Sequence, residues 1–297
     1  MTLEDCRRFY AEEIRLVANL KSAPLVEALA HVPREKFLGA PPWQILSPEA
    51  VAALAAGGST YVTTSDPRDL YHNVLVAIDA ARHLNNGQPS GLLRWIDALD
   101  LNPGDRIYHV GCGVGYYTAI LAEAVGPSGT VVASEVDPEL AARSRENLAS
   151  YPNVTVHAGD GATIDPGTCD AILINAGVTH PEPRWLDRLA ENGRLAVPIT
   201  MGMGKPGFGV GVFVAIVREQ SGFSARVLSQ VAIYHCASLR DPEIEKLVAG
   251  ALKNPALAKI HSLRRDQHEL EETCVLHGKS SCLSTVEVVA DREASVA

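Results

Sequence analysis

Apolar residues recur at helical spacing over 3–20 and again over 25–37, which predicts two helices at the start of the chain. A third helix is marked at both ends: Ser47 is a good N-cap, Pro48 suits the first helical position, Glu49 complements the dipole, and Gly57 and Gly58 stop the run. From Asp105 the pattern changes. Short β-rich runs at 107–110, 130–134, 154–157, 170–174 and 194–198 are interleaved with helical stretches at 116–125 and 138–149. That alternation yields a parallel sheet covered by helices on both faces. Two longer runs, 209–218 and 225–234, joined through Glu219, Gln220, Ser221 and Gly222, predict an antiparallel hairpin at the sheet edge. Asp241, Pro242 and Glu243 open another capped helix. A small hairpin is expected near the end, 275–277 with 284–289, and 291–297 is expected to fray. The resulting division is an N-terminal helical segment over 1–60, an α/β core over 61–238, and a C-terminal helix and extension over 239–297.

Composition narrows the partners. The 297 residues are 46% hydrophobic, enough for an extensive core. A net charge of −9 repels phosphate backbones and anionic membranes, so neither nucleic acid nor membrane is expected as a partner. The first eight residues, Met1 to Arg8, lack an apolar signal core, and no apolar run is long enough to span a bilayer. A cytoplasmic protein is expected. Six cysteines, at 6, 112, 169, 236, 274 and 282, show no C-x-x-C spacing and read as reduced thiols. Cys274 and Cys282 flank His277, but no fourth ligand stands at a recognisable spacing, so packing is expected there and no metal.

The chemistry concentrates after the strand at 107–110. Gly111, Gly113 and Gly115 lie between that strand and a helix, where residues without side chains let the backbone turn sharply and approach a ligand. The spacing is G-x-G-x-G, with Tyr116 where a dinucleotide fingerprint would have its last glycine, so nicotinamide cofactors fall behind. Gly111, Cys112, Gly113, Gly115 and Tyr116 are candidate cofactor contacts, although Tyr116 and Tyr117 also suit a core. Glu135 ends the next strand, placed to accept both hydroxyls of an adenosine ribose, with Val136 beside it in the same candidate set. Gly159, Asp160 and Gly161 follow the third strand and put a second carboxylate at that sheet edge, an acceptor for an adenine amine. Asn175 stands at the end of the strand at 170–174, where open α/β sheets bind ligands.

These residues resemble a known family. The segment from His109 to Tyr116, Ser134-Glu135, Gly159-Asp160-Gly161 and the run from Gly193 to Pro198 are similar to successive motifs of class I methyltransferases. More narrowly, the segment from His31 to Phe37, Gly87-Gln88-Pro89-Ser90 and the segment from Leu101 to Arg106 resemble the protein-L-isoaspartate O-methyltransferases. Over about 25–235, the resemblance implies a doubly wound, seven-stranded, Rossmann-like α/β fold that binds S-adenosylmethionine and releases S-adenosylhomocysteine. It carries cofactor contacts onto Gly111, Gly113, Glu135, Asp160 and the segment containing Asn86, Gln88 and Pro89.

Two positions depart from that family. Gly87 stands where a serine or threonine is usual beside the transferred methyl, and His109 stands where the first strand usually ends in an acid. A rebuilt acceptor pocket is therefore expected, and with it a small-molecule or natural-product acceptor such as an aromatic nitrogen heterocycle, an indole for instance. The alternatives are repair methylation of isoaspartyl proteins, methylation of a peptide carboxylate, and a non-catalytic cofactor-binding regulator. An acceptor that loses a proton would use a base, for which Tyr71, His72, His109 and His180 are candidates, with Asn175 a further site residue. The last sixty residues are candidates to cover the acceptor pocket, to support a homodimer, or to enlarge the core.

Overall fold

The computed structural model describes residues 1–46, 61–82, 84–204 and 207–288. The helix expected at 47–58 and the fraying tail at 291–297 lie outside them. In chain order the chain forms α1 (Leu3–Ala18), α2 (Ala23–His31), β1 (Trp43–Leu46), β2 (Val62–Thr64), β3 (Leu75–Asp79), β4 (Leu84–Asn85) and α3 (Pro89–Asp97). There follow β5 (Arg106–Val110), α4 (Tyr116–Val125), β6 (Thr130–Glu135), α5 (Pro138–Asn147), β7 (Val154–Ala158) and β8 (Cys169–Ile174). The chain continues through α6 (Pro183–Arg188), β9 (Leu189–Gly202), β10 (Phe208–Glu219), β11 (Gly222–Tyr234), α7 (Pro242–Ala251), β12 (Ser262–Arg264), β13 (Cys274–His277) and β14 (Cys282–Ser284). No described helix is long and apolar enough to cross a membrane.

Residues 1–105 with 112–159 form one compact unit, and 106–111 with 160–297 form a second. In the first, Thr2 and Asp5 close a capping box on α1, satisfying two N–H groups that a helix start leaves unpaired. Tyr10, Ile14, Leu25 and Leu29 then bury the facing stripes of α1 and α2. The helix expected over 25–37 stops at His31, because Pro33 disfavours helix at the residue before it; a 3₁₀ turn, Arg34–Phe37, follows. β6 and β7 pair in parallel. A second sheet in the order β2-β1-β3-β4 had no counterpart in the sequence pattern, its strands being two to five residues long.

In the second unit β8 is buried at every position but one, as a strand covered on both faces must be, and it pairs in parallel with β5 and β9. β9, β10 and β11 then run antiparallel through two hairpin connections. The sequence placed this hairpin at the sheet edge. Instead β11 pairs with β12, β12 with β14, and β14 with β13, so the C-terminal extension adds three strands beyond it. The second strand of the terminal hairpin is Cys282–Ser284, not 284–289. The extension enlarges the core: Leu263, Leu276 and Leu283 meet Ile199, Ile244 and His180 around a small apolar cavity.

Candidate active site

In the first unit the glycine turn is fixed from two sides. The N–H of Gly113 donates to Glu135 Oε2 at 2.8 Å and that of Cys112 to the Ser134 carbonyl at 3.0 Å. Gly115 lets α4 start against α5, since a Cβ there would lie 2.8 Å from Leu148 Cδ1 and 2.9 Å from Ser144 Oγ. Gly113 differs: the nearest atom a Cβ would meet is Ile78 Cδ1, 3.8 Å away. The second oxygen of Glu135 accepts from the Asp137 N–H at 3.1 Å. The Val136 N–H also bonds this carboxylate, and its roughly four acceptor positions are still not all taken. Burial pushes the Glu135 carboxyl above its ordinary range, although these N–H bonds favour the charged form. Beside it Val136 is 53% exposed, an apolar side chain facing solvent.

The backbone at 70–74 and the side chain of Asn86 hang on Arg34, a residue that in the sequence is only part of the motif from His31 to Phe37. Arg34 is fully buried and donates to the carbonyls of Leu70 (2.6 Å), His72 (3.2 Å) and Val74 (2.8 Å) and to Asn86 Oδ1 (3.1 Å). Its guanidinium lies 5.8 Å from both the Tyr10 and Tyr116 rings, so aromatic faces compensate part of its desolvation. Asn86 Oδ1 also accepts from the Val76 N–H, while its Nδ2 is buried with no partner among the described residues. Such a donor costs free energy until a ligand fills its valence. Gln88 stands at the N-cap position of α3 without a side-chain capping bond, Pro89 lies in the first turn, and the Ser90 N–H donates to Asn73 Oδ1 at 3.1 Å. Arg82 pairs with Asp79 at 2.6 Å and with Asp137, tying the β3–β4 turn to the start of α5.

Several candidates take other places. Tyr116 is 1% exposed and packs edge-on to Phe37 and Tyr117, so its side chain serves the core. The Cys112 thiol is buried 3.5 Å from Ser144 Oγ and burial pushes it up to about 12, which leaves it a protonated packing group. The Tyr71 hydroxyl donates to the Glu35 carboxylate and accepts from the Arg34 N–H at 3.1 Å. Burial and the adjacent carboxylate raise its pKa, the wrong direction for a base. His72 is exposed and contributes its carbonyl to Arg34.

In the second unit Asn175 continues β8: its N–H donates to the Val110 carbonyl at 2.8 Å and its Nδ2 to the Gly111 carbonyl at 3.4 Å. The segment after β7 is held by Gly161, whose carbonyl accepts from Tyr108 Oη at 2.9 Å and Trp185 Nε1 at 3.0 Å. Asp160 Oδ1 accepts from the Ala162 N–H at 2.9 Å, which orients its carboxylate. The Trp185 anchor gave no local sequence signal, because its partner is 24 residues away. His109 is fully buried, and desolvation lowers its pKa to about 3, so it is neutral and closed to solvent. His180 is half-buried with Nδ1 2.9 Å from Thr179 Oγ1, its pKa lowered by desolvation in the apolar floor of the extension.

The donor set in the first unit fits an adenosyl cofactor: a buried carboxylate with free lone pairs, an exposed apolar neighbour, an open glycine and an unsatisfied amide N–H. Comparison with known proteins agrees. The model of the protein-L-isoaspartate(D-aspartate) O-methyltransferase family matches residues 12–208. A protein-L-isoaspartate O-methyltransferase of Ignicoccus hospitalis is 29% identical over 234 residues, covering 77% of this chain and 96% of its own. Protein-L-isoaspartate O-methyltransferase 1 of Archaeoglobus fulgidus is 31% identical over 203 residues, covering 67% of this chain and 82% of its own. One solved protein-L-isoaspartate O-methyltransferase superposes with a TM-score of 0.60 at 18% identity, over 81% of this chain and 69% of its own. Another, from Plasmodium falciparum in complex with S-adenosyl-L-homocysteine, gives 0.57 at 19% identity over 77% and 97%. These two likenesses show the fold, the α/β arrangement of class I methyltransferases.

Proposed function

We propose, from the fact that this chain belongs to the protein-L-isoaspartate(D-aspartate) O-methyltransferase family, that it methylates a carboxylate of a peptide or protein. Membership makes it an S-adenosylmethionine-dependent methyltransferase. The relatives' names support the isoaspartyl carboxylate as acceptor, ahead of the small molecule expected from Gly87. The bound cofactor supplies a methyl group on a sulfonium, already activated for in-line displacement. The chain's task is alignment. Glu135 would accept the ribose hydroxyls, Gly113 would let the backbone approach, and Asn86 Nδ2 would donate to the ligand. Asp160 is proposed as the acceptor for the adenine amine.

Family membership carries the carboxylate reading, and the withdrawal of two of the four candidate bases, Tyr71 and His109, supports it. A carboxylate attacks as it stands, whereas an indole, phenol or ammonium acceptor must lose a proton. Tyr71 holds its proton against Glu35, and His109 is sealed in the core. Gly87 favours a second reading, a small acceptor: the hydroxyl usual there is missing, and a Cβ would lie 2.2 Å from Leu92 Cδ1. The six thiols, all free, suit the reducing cytoplasm proposed as its location.

The test is calorimetric titration with S-adenosylmethionine and S-adenosylhomocysteine, followed by addition of an isoaspartyl peptide and detection of S-adenosylhomocysteine. Peptide-dependent turnover supports the carboxylate reading. Cofactor binding with turnover of an aromatic heterocycle and none of the peptide would replace it with the second, and folded protein that binds no cofactor would overturn both.

A further inference from the structure

We propose that His268, Cys274, His277 and Cys282 form a tetrahedral zinc site that clamps the C-terminal extension. One ligand atom from each residue lies within 4.8 Å of all the others. Cys274 Sγ is 3.5 Å from His268 Nε2. A tetrahedral centre with Zn–S of about 2.3 Å and Zn–N of about 2.0–2.1 Å sets sulfur and nitrogen about 3.5 Å apart, so that pair already has the separation a shared metal imposes. Two thiolates and two imidazoles are a standard structural zinc set, and they leave no open position for substrate.

The surroundings favour a ligand over simple packing. The His268 side chain is 8% exposed and Cys282 1%. His277 Nδ1 is buried with no hydrogen-bond partner among the described residues, a cost that coordination would remove. His268 Nδ1 lies 2.9 Å from the Asp266 carbonyl and 3.3 Å from its carboxylate, and that carboxylate is held by Arg264 at 2.7 Å. Those contacts fix the ring and turn Nε2 inward, the outer-shell arrangement that orients a metal-bound histidine. The Glu271 N–H donates to Cys274 Sγ at 3.5 Å, a bond that stabilises thiolate.

The ligands follow H-x5-C-x2-H-x4-C, and the topology explains why three of them read as packing residues in the sequence. His268 lies in the loop after β12, Cys274 and His277 are the two ends of β13, and Cys282 opens β14. His277 and Cys282 are register partners at the turn end of a very short hairpin, and Cys274 lies only three residues before His277 on the same strand. Strands of three or four residues hold little structure alone, and a metal tying three segments would supply what their length cannot. Binding of Zn²⁺ replaces the two thiol protons, which pass to solvent, and the two thiolates balance the metal's charge.

The test uses the full chain purified without chelators. Elemental analysis should find about one zinc per chain. Replacement by Co²⁺ should give the visible bands of a four-coordinate centre and a thiolate-to-cobalt charge-transfer band. The Cys274→Ser/Cys282→Ser variant should lose both signals, while Cys6→Ser keeps them. Metal-free protein after zinc addition and gel filtration, cobalt bound without charge transfer, or a Cys274–Cys282 disulfide in protein prepared under reductant would overturn the proposal. The cobalt spectrum needs no variant, so a variant that fails to fold does not rescue it.

Discussion

The backbone N–H of Gly113 is bound by Glu135 at 2.8 Å, so the open glycine of the turn and the buried carboxylate of the next strand are one device. Each fixes the other before a ligand arrives, and the carboxylate keeps lone pairs for a diol. Glu135→Ala should weaken binding of S-adenosylmethionine and S-adenosylhomocysteine by about 1.5–3 kcal/mol, the worth of hydrogen bonds to a charged group. Calorimetry on folded variant protein checks it. Unchanged affinity would remove Glu135 from the cofactor site.

Gly87 adopts φ +78° and its neighbour Leu92 occupies the space of a side chain. Gly87→Ser, which restores the missing hydroxyl, should therefore destabilise the fold by about 1–3 kcal/mol through overpacking. Adding Leu92→Ala should recover part of the loss, because the clash is with its Cδ1. Urea unfolding of the single and double variants measures the coupling. Additive losses would show that the turn is strained by its backbone rather than by Leu92.

Most of the α/β alternation was legible because each element carries its own signal. Pro138 and Asp137 mark the start of α5, and the apolar run of β8 marks a strand buried on both faces. The glycine turn and Glu135 were legible for the same reason, being local to strand ends. Arg34 was not, since its partners lie 36 to 52 residues away and a buried arginine looks in sequence like a surface one. The sheet of β1 to β4 was lost because its strands are too short to show a period. His268 was invisible as a ligand because only the pairing of β12, β13 and β14 brings it to the cysteines.

Arg34→Lys tests whether that buried fork organises the 70–74 segment. An ammonium has three donors on a flexible stem and cannot span the carbonyls of Leu70, His72 and Val74 together with Asn86. The variant should lose about 2 kcal/mol or more of stability, the cost of buried acceptors left unmade. Loss of cofactor affinity beyond the loss of stability would show that Arg34 positions Asn86 for the ligand. Chemical denaturation and calorimetry on the same samples separate the two.

His109 makes a prediction with a definite sign. Its pKa is about 3 in the folded protein against 6.5 as a free group, because burial disfavours the cation. Between those values the unfolded chain holds one more proton than the native one, so stability is full above about pH 6.5 and is lost as the pH falls. The loss approaches about 1.4 kcal/mol per pH unit below about pH 6. Carboxylates add their own losses at lower pH, so the readout is the difference between wild type and His109→Gln, whose side chain does not titrate. Whatever the gap at neutral pH, it should move against the wild type as the pH drops from about 6.5 to 5. Parallel stability curves would mean that His109 is protonated as easily in the native state as in the unfolded one. Water would then reach the ring, and His109 would return as a base for an acceptor that must lose a proton.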